Sequence, residues 1–380
     1  MKDIILLGST GSVGRNVLDV VRRYPERFRI KAISSNENIS LLADQAREFA
    51  PDVVAVGKEQ LYSDLRGKVA ESIRVTAGPE GVEQLAGAES ADIVFMAISG
   101  TAALKPLVAA LKAGRTVALA SKEPVVSAGM IIKRFTEEYS SRIIPVDSEH
   151  SAIMQCLSGR RSRDVRTLYI TGSGGSLKDV KEKEFDSLSV DHVLAHPKWD
   201  MGRKITVDSA TLMNKGLEAI EARWLFDIPP DKIKIVIHSE AIIHSMVEFI
   251  DGTINASLFC PDMRFPILKA LSFPDMMEND FPRVDFSAVK NLSFTEPDTG
   301  RFPALEVAFA ALRAGGTVPA VLNASNEKAV KLFLDGKIKF TDIVRIVKKV
   351  IEKHSRIDKP SLEDIIASEG WAVKEVSNFC

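Results

Sequence analysis

Two groups of acidic side chains stand far apart in the sequence, one at 147–149 and one at 218–221. Carboxylate oxygens are ligands that divalent cations such as Mg²⁺ prefer. Asp147 and Glu149 follow an apolar run that ends at Val146, and in an extended chain their side chains would point to the same side. An acidic first turn of a helix is an equally good interpretation, because Asp, Ser and Glu are common there. The pair alone therefore leaves a metal site and a helix start open.

The second acidic group belongs to a segment with helical spacing. Asn214 and Glu218 are four residues apart, and Lys215, Glu218 and Glu221 follow each other at intervals of three. One helix face therefore carries an amide, an ammonium and two carboxylates. Such a face can bind an anion and a cation together. The alternative is a solvated helix side with a Lys–Glu pair worth about 0.3 kcal/mol. Gly216 in the same helix costs about 1 kcal/mol relative to Ala, which favours a close approach to its backbone.

A glycine-rich turn, GSTGSVG at 8–14, separates the first predicted strand from the first predicted helix. Such turns let backbone N–H groups approach a pyrophosphate at the positive end of the helix. The alternative is a tight turn that binds nothing. After the second predicted strand, Ser35, Asn36 and Asn38 could hold a 2′-phosphate, but Glu37 would repel it. The residues thus favour a dinucleotide and leave the choice between NADPH and NADH open.

Two further segments combine polar side chains with Gly or Pro. The run TGSGG at 171–175 offers hydroxyl and amide donors for a phosphate, and its alternative is a flexible loop. The run HPKWDMG at 196–202 places a Trp and a Met among Pro and Gly breakers, which is typical of a lid that excludes water. A Trp packed against a neighbouring domain is the alternative there.

Short apolar, β-branched runs alternate with helical patterns as far as Val146, as in a parallel sheet wound by helices. Each run is nearly continuous in apolar character, which is expected of strands buried on both faces. The predicted strands are 4–7, 30–33, 53–56, 93–96, 117–119 and 143–146, and the predicted helices are 13–23, 41–49 and 102–113.

The pattern changes after His150. Strands are predicted at 167–171, 233–237, 242–249 and 253–259, helices at 151–157 and 206–224, and the Asp251-Gly252 pair predicts an antiparallel hairpin. Helices at 302–313, 318–334, 342–353 and 362–376 follow. The predicted fold class is α/β: an N-terminal doubly wound, Rossmann-like domain (1–147), a central α+β domain (148–285) with a lid loop (192–204), a linker (286–300) and a C-terminal helical domain (301–380).

Composition narrows the class of partner. A net charge of −1 gives no overall attraction to nucleic acid or to anionic lipid, so we expect neither partner and predict a small molecule instead. Three dispersed cysteines without a Cys-x-x-Cys pair argue against a disulfide framework and a structural zinc site. With no leader-like segment before the first strand, we expect a cytoplasmic protein.

In this order, the motifs resemble those of the 1-deoxy-D-xylulose 5-phosphate reductoisomerase family. They are GSTGSVG at 8–14, SKE at 121–123, VDSEHSA at 146–152, TGSGG at 171–175, HPKWDMG at 196–202, DSATLMNKGLEAIEA at 208–222, IIHSMVEF at 242–249 and PDMR at 261–264. The resemblance implies an NADPH-dependent enzyme with a divalent metal (Mg²⁺, Mn²⁺ or Co²⁺). It also implies the product 2-C-methyl-D-erythritol 4-phosphate of non-mevalonate isoprenoid biosynthesis, a phosphorylated small-molecule substrate and a homodimer.

The resemblance also assigns roles residue by residue. The metal ligands would be Asp147, Glu149 and Glu218. The catalytic residues would be Lys122, Glu149, His196 and His244. Substrate would be bound by Lys122, Ser148, Glu149, Ser173, His196, Trp199, Ser209, Asn214, Lys215 and Glu218, and the cofactor by Gly8, Ser9, Thr10, Gly11, Ser12, Val13, Ser35, Asn36, Asn38, Ser121, Glu123 and Gly202.

The sequence departs from the family pattern at three places. Ser121 stands where the family usually has Asn, Glu37 where a basic residue is frequent, and Ser239-Glu240 where Pro-Gln is frequent. None of these changes removes an implied metal or phosphate ligand. Two other functions remain as alternatives: a metal-free reductase of the semialdehyde or dihydrodipicolinate type, and a non-catalytic dinucleotide sensor. For His244, a buried strand histidine is the alternative to a catalytic role.

Overall fold

The computed structural model describes residues 1–195 and 202–379. Contacts within the chain divide it into two compact units. The first unit contains Met1–Pro124, Ile132–Ser151 and Met263–Phe281, and the second contains Val125–Ile131, Ala152–Asp262 and Pro282–Cys380. The three-part division drawn from the sequence stays a prediction.

The described strands and helices are numbered in chain order. The strands are β1 (Lys2–Leu7), β2 (Phe28–Ser35), β3 (Val53–Val56), β4 (Arg74–Ala77), β5 (Ile93–Met96), β6 (Thr116–Leu119), β7 (Arg142–Pro145), β8 (Val165–Gly172), β9 (Ile233–Ile237), β10 (Ile243–Phe249) and β11 (Ile254–Leu258). The helices are α1 (Ser12–Arg23), α2 (Ile39–Phe49), α3 (Tyr62–Arg66), α4 (Gly78–Gly87), α5 (Leu104–Lys112), α6 (Glu123–Glu138), α7 (Ser148–Cys156), α8 (Val190–Leu194), α9 (Arg203–Ala210), α10 (Met213–Leu225), α11 (Arg264–Ser272), α12 (Ala304–Ala314), α13 (Val318–Leu334), α14 (Phe340–Lys353) and α15 (Leu362–Ser377).

The first unit is built on a sheet of seven parallel strands in the order β4-β3-β2-β1-β5-β6-β7. Its central strand, β1, has four consecutive buried residues, Ile4–Leu7, as a strand covered on both faces requires. The order runs outward in both directions from β1, as in doubly wound folds. The predicted Rossmann-like fold is confirmed.

The second unit contains a four-stranded sheet in the order β11-β10-β8-β9. Strand β10 pairs antiparallel with β8 and β11, and Gly252 turns the β10–β11 hairpin at φ +84°. The predicted antiparallel hairpin is confirmed, while β8 and β9 pair in parallel. The remaining helices of the unit, α12 to α15, contribute to one large apolar core with this sheet and α10.

One predicted helix is two helices. Instead of a single helix from 206 to 224, α9 ends at Ala210 and α10 starts at Met213. Leu212 between them has φ +62°, in the left-handed region that L-residues rarely adopt. The break turns the chain between Ser209 and Asn214.

Six elements were not predicted, namely β4, α3, α4, α6, α8 and α11. Strand β4 is an edge strand with polar residues, and α4 contains three glycines, so neither shows a clear apolar period. Helix α6 departs from helical geometry at Ala128 (φ −127°). Within residues 1–195 and 202–379, no helix is both long and apolar enough to cross a membrane.

Candidate functional site

The first acidic group begins a helix. Strand β7 ends at Pro145 and α7 begins at Ser148, so the extended arrangement considered for Asp147 and Glu149 is wrong and Glu149 lies in the first helical turn. The turn still keeps a carboxylate oxygen of Asp147 and one of Glu149 within 4.8 Å of each other. The Ser148 hydroxyl donates to Glu149 Oε2 at 2.6 Å. The strand end therefore presents two neighbouring carboxylates.

Two basic groups face Asp147. The Lys122 ammonium lies 2.5 Å from Asp147 Oδ2, and Nδ1 of the buried His150 lies 3.8 Å from the same oxygen. Burial by itself would raise the pKa of Asp147, but Lys122 and His150 together hold it well below its usual range. Asp147 is therefore ionised at neutral pH, the form in which a carboxylate binds a cation.

On the polar face of α10, in the second unit, the side chains form hydrogen bonds with each other. Asn214 Nδ2 donates to Glu218 Oε1 at 2.6 Å, and Lys215 Nζ donates to Glu218 Oε2 at 2.8 Å. All three side chains are buried, so the alternative of a solvated helix side is wrong. A buried carboxylate needs such charge-assisted bonds to offset the loss of water. The prediction that Asn214, Lys215 and Glu218 share one face of the helix is confirmed.

The expected close approach at Gly216 has a structural cause. A Cβ at this position would lie 2.3 Å from the Cβ of Ala308 on α12. The glycine therefore lets two helices of the second unit pack closely, and no ligand is needed to explain it.

The TGSGG loop lies against the α9–α10 segment. A Cβ on Gly172 would come within 3.2 Å of the Lys215 side chain. A Cβ on Gly175, which has φ +73°, would lie 2.5 Å from the Ser209 carbonyl oxygen. Ser173 accepts a hydrogen bond from the Gly175 N–H at 3.3 Å. The loop thus brings its hydroxyl and amide groups to the same region as Ser209 and Lys215.

One buried carboxylate next to this region was assigned no role from the sequence. Asp208 on α9 pairs with Lys204 Nζ at 2.8 Å and accepts a hydrogen bond from Asn326 Nδ2 on α13 at 2.7 Å. Asp208 and Asn326 are buried. Asn326 lies in the polar run NASNEK (323–328) of α13, so no signal in the sequence singled it out.

In the first unit, the glycine turn is shaped by its own backbone. Gly8 has φ +89°, and a Cβ there would lie 2.6 Å from the Ala97 carbonyl oxygen. A Cβ on Gly14 would lie 2.2 Å from the Gly8 carbonyl oxygen. Gly11 is the N-cap of α1 and has no side chain to bind the first N–H groups of that helix. These N–H groups can therefore approach an anion.

Several predicted cofactor residues make contacts around the turn. The Ser9 hydroxyl donates to Gln45 Oε1 at 2.6 Å, and the Ser9 N–H donates to the Ser34 carbonyl at 2.8 Å, so Ser9 anchors the turn. The Thr10 and Ser35 hydroxyls are 2.7 Å apart. Asn38 caps α2 by accepting the Leu41 N–H at 3.2 Å.

The other predicted contacts are spread over both units. Ser121 is buried in the first unit, where its hydroxyl donates to the Ile98 carbonyl, and Glu123 starts α6. Gly202 is the N-cap of α9 in the second unit. His196 and Trp199 lie outside the described residues.

His244 on β10 is enclosed by protein. Its Nε2 lies 3.1 Å from the Phe259 carbonyl oxygen, and its ring stacks on that of Phe259 with the centroids 3.7 Å apart. His238 is also buried, with Nδ1 2.9 Å from the Ser293 carbonyl oxygen. These contacts are those of buried strand histidines, the alternative to a catalytic role for His244.

Three family models match the chain. The 1-deoxy-D-xylulose 5-phosphate reductoisomerase model covers residues 4–129, and two models of the C-terminal domain of this enzyme cover 143–226 and 258–375. A curated reductoisomerase of this name from Caldanaerobacter subterraneus subsp. tengcongensis is 49% identical over 97% of the chain and 96% of its own length. The one from Pelotomaculum thermopropionicum is 46% identical over 98% and 97%. The chain belongs to the 1-deoxy-D-xylulose 5-phosphate reductoisomerase family.

Solved reductoisomerase structures share the whole fold. The enzyme from Zymomonas mobilis in complex with NADPH matches with a TM-score of 0.93 and 40% identity, covering 100% of this chain and 98% of its own. A reductoisomerase in complex with NADPH, fosmidomycin and magnesium matches with a TM-score of 0.94 and 35% identity over the same shares. The segments 143–226 and 4–129, which hold the carboxylates and the glycine turn, fall within the family models.

Proposed function

We propose that this chain converts 1-deoxy-D-xylulose 5-phosphate to 2-C-methyl-D-erythritol 4-phosphate with NADPH and a divalent metal. Besides family membership, the observation that carries the proposal is the buried Asn214–Lys215–Glu218 network beside the TGSGG loop. Related reductoisomerases have been solved with NADPH and with magnesium. An ammonium, an amide and a carboxylate side by side suit a phosphorylated, metal-chelating substrate.

For the metal, we propose Asp147, Glu149 and Glu218 as ligands. Their oxygen-only donor set suits Mg²⁺ or Mn²⁺ and also accommodates Co²⁺. Metal ligands have to be ionised and close together. In support of the proposal, carboxylate oxygens of Asp147 and Glu149 are neighbours in the first unit, and Lys122 keeps Asp147 ionised. The proposal further requires that Glu218 of the second unit join them.

For the substrate phosphate, we propose Ser173, Ser209, Asn214 and Lys215. A phosphate that accepts hydrogen bonds from Asn214 and Lys215 would take over donors that Glu218 holds in this structure. The carboxylate would then be released to bind a cation. Phosphate binding and metal binding would favour each other, because both take place when Asn214 and Lys215 change their partner from Glu218 to the phosphate.

For NADPH, we propose the turn residues Gly8 to Val13, with Ser35, Asn36 and Asn38 near the adenosine ribose. Ser121, Glu123 and Gly202 complete the proposed cofactor contacts. The uncapped N-terminus of α1 fits a pyrophosphate, because its N–H groups and its dipole both favour an anion.

In the proposed reaction, the chain positions the substrate for a change of carbon skeleton, by retro-aldol cleavage and re-addition, followed by reduction of the aldehyde. When bound, the metal polarises adjacent substrate oxygens and NADPH supplies the hydride. We propose that Lys122 and Ser148, which contact Asp147 and Glu149, also contact substrate oxygens. The phosphate donors hold the far end of the molecule, so their binding energy is available for orientation. His196 and Trp199 stay predictions for closing the site, and His244 stays a prediction for a catalytic residue near it.

We further propose a homodimer in the cytoplasm, as the family resemblance implies. Neither of the described cysteines, Cys156 and Cys260, forms a disulfide, which suits a reducing compartment. Light scattering of the purified protein would give its oligomeric state.

A coupled set of assays tests the proposed function. The consumption of NADPH is followed with 1-deoxy-D-xylulose 5-phosphate, with Mg²⁺ or Mn²⁺, and after addition of a chelator. We expect turnover that chelation abolishes and that added metal restores, and Glu149→Gln that is inactive but still binds NADPH by fluorescence titration. Turnover that survives chelation would instead favour a metal-free reductase. NADPH binding without turnover in any metal would favour a dinucleotide sensor.

A further inference from the structure

The carboxyl end of β2 carries an unfavourable charge for NADPH. In doubly wound folds the adenosine ribose lies at this end, where a 2′-phosphate needs a cation. Glu37, two residues beyond β2, is well exposed there, with 60% of its side chain accessible. An unpaired carboxylate at this position would repel the phosphate. A chain that uses NADPH therefore needs a compensating positive charge close by.

Lys58 supplies a positive charge at this end of the sheet. Strand β3 lies next to β2, and the chain beyond it stays attached to β2, since the Gly57 N–H donates to the Ser35 carbonyl at 2.8 Å and the Lys58 N–H donates to the Asn36 carbonyl at 3.0 Å. The Lys58 ammonium forms an ion pair with the Glu37 carboxylate. Main-chain hydrogen bonds thus fix the lysine beside the residues that would surround a ribose.

The same region is tied to the glycine turn. The Thr10 hydroxyl in the turn and the Ser35 hydroxyl at the end of β2 are 2.7 Å apart. The Gly8 N–H donates to the Ser34 carbonyl at 3.1 Å. A dinucleotide with its pyrophosphate at the turn would therefore have its ribose next to Ser35, one residue from the carbonyl that holds Lys58.

We propose that Lys58 recognises the 2′-phosphate of NADPH by exchanging its partner Glu37 for the phosphate, and so sets the preference for NADPH over NADH. The inference rests on the proposed use of NADPH. An exposed ion pair contributes little to stability, and 44% of the Lys58 side chain is accessible, so the exchange costs the fold little. In this chain the cation comes from the β3 end instead of the β2 end, and Glu37 orients it until the cofactor binds.

Binding of fragments separates the phosphate from the rest of the cofactor. Isothermal titration calorimetry compares adenosine 2′,5′-bisphosphate with adenosine 5′-monophosphate, and NADPH with NADH, on the full chain. For Lys58→Ala we expect the affinity for the two 2′-phosphorylated ligands to fall roughly tenfold or more, as loss of a charge-assisted hydrogen bond predicts. The affinities for the other two ligands should change less than about twofold.

Three further variants make the result specific. Lys58→Arg should keep the preference, because a guanidinium also binds phosphate. Glu37→Gln should strengthen binding of the 2′-phosphorylated ligands, because a competitor for Lys58 and a repulsive charge are both removed. Lys68→Ala is the matched control, since Lys68 is an exposed lysine after α3, where the chain leads back towards the amino end of β4, and it should leave all four affinities unchanged.

Three unfavourable outcomes can be told apart. If wild-type protein binds NADPH and turns over substrate but Lys58→Ala keeps the full preference, the role of Lys58 is wrong while the proposed function stands. If Glu37→Gln weakens the binding of the 2′-phosphorylated ligands, the exchange of partners is wrong. If the wild-type protein neither binds a 2′-phosphorylated ligand nor consumes NADPH, the proposed function itself fails.

Discussion

The glycine turn of the first unit and the polar interior of the second unit are built by opposite means. In the turn, main-chain atoms pack against main-chain atoms, as at Gly8 and Gly14, and the groups left for a ligand are backbone N–H groups. In the second unit, the side chains of Asn214, Lys215 and Glu218 are buried and hydrogen-bonded to each other. Both regions are proposed to bind phosphate groups.

The difference determines how each region responds to change. A backbone site has no titrating group, so we expect it to tolerate changes of pH and to fail when an added Cβ meets main-chain atoms. A buried side-chain site fails when a charge loses its partner, since an unpaired buried charge is costly. Substitutions of similar size should therefore act through shape in one region and through charge in the other.

The largest effect is expected for Lys215→Met, which keeps the approximate length of the side chain but removes its charge. The phosphate loses its ammonium donor, and the buried Glu218 loses the charged one of the two donors that Asn214 and Lys215 provide. We expect kcat/KM for 1-deoxy-D-xylulose 5-phosphate to fall about 1000-fold, roughly 4 kcal/mol, with kcat lowered as well as KM raised. Steady-state kinetics measures both constants. A variant with wild-type kcat would show that Lys215 contributes only uniform binding.

Gly14→Ala should have the next largest effect, and its effect is on shape. The new Cβ would lie 2.2 Å from the Gly8 carbonyl oxygen, a main-chain atom that cannot move aside. We expect the free energy of unfolding to drop by about 3 kcal/mol, measured by urea denaturation, and NADPH binding to weaken.

Gly11→Ala is the matched control in the same turn. Its Cβ would lie 3.5 Å from the Gly8 carbonyl oxygen, an ordinary contact distance, and Gly11 has a φ of −72°, which any L-residue adopts. We expect a loss of stability below about 1 kcal/mol. Equal losses for both alanine variants would show that close packing of backbone is not what the turn depends on.

A third test concerns a buried acid of the second unit that has no part in the proposed site. Glu369 on α15 is bonded to Ser127, and the Ser127 hydroxyl accepts from Asn323 Nδ2 at 3.1 Å. Burial, with a smaller effect of the negative charge on Glu327, raises the pKa of Glu369 to about 7, although the Ser127 bond opposes the shift. Asp147 in the first unit is also mostly buried, with 13% of its side chain accessible, but Lys122 and His150 lower its pKa. Burial therefore sets the direction of the pKa shift at Glu369, whereas the neighbouring Lys122 and His150 reverse it at Asp147.

The raised pKa of Glu369 makes stability depend on pH. Because its folded pKa, about 7, lies above the ordinary value of 4.5, the stabilisation is fully present below pH 4.5 and is lost as pH rises through 7. From pH 5 to pH 8 this one group should reduce the free energy of unfolding by about 2.5 kcal/mol. Glu369→Gln should remove that part of the pH dependence in urea denaturation.

Glu363→Gln on the same helix is the control, since Glu363 is exposed and lies in the first turn of α15. It should keep the pH dependence of the wild-type protein. If the slope of stability against pH is the same in all three proteins, Glu369 does not carry a shifted proton.

Features that follow from the periodicity of apolar and polar residues were predicted from the sequence. Continuous apolar runs located the strands of the parallel sheet around β1, and the three- and four-residue spacing from Asn214 and Lys215 to Glu218 located one face of α10. Both patterns follow from the geometry of a single element. Neither needs knowledge of which elements pack together.

Features that depend on tertiary contacts were missed. The break at Leu212 places a leucine at positive φ, for which the local sequence gives no signal, since Gly or Asn is the usual choice. The short β4 is held at the edge of the sheet by its pairing with β3, although its own pattern is mixed. The pairing of Asp208 with Asn326 joins residues 118 positions apart.

The smallest effect on activity is expected from removing the hydrogen bond between Asn326 and Asp208. Asn326→Leu keeps the approximate volume and the charge of the region but leaves the buried Asp208 with one partner fewer, while Lys204 still lies 2.8 Å from it. Because Ser209 directly follows Asp208 on α9, we expect its hydroxyl to be held less precisely for the phosphate. KM for the substrate should rise about tenfold, near 1.4 kcal/mol, with kcat lowered much less. Asn323→Leu, which removes an amide one turn earlier on α13 that bonds to Ser127, should reduce stability without this rise in KM. Equal KM values for the two variants would mean that the polar interior acts on the site only through overall stability, and the contrast with the backbone-built turn would then be weaker.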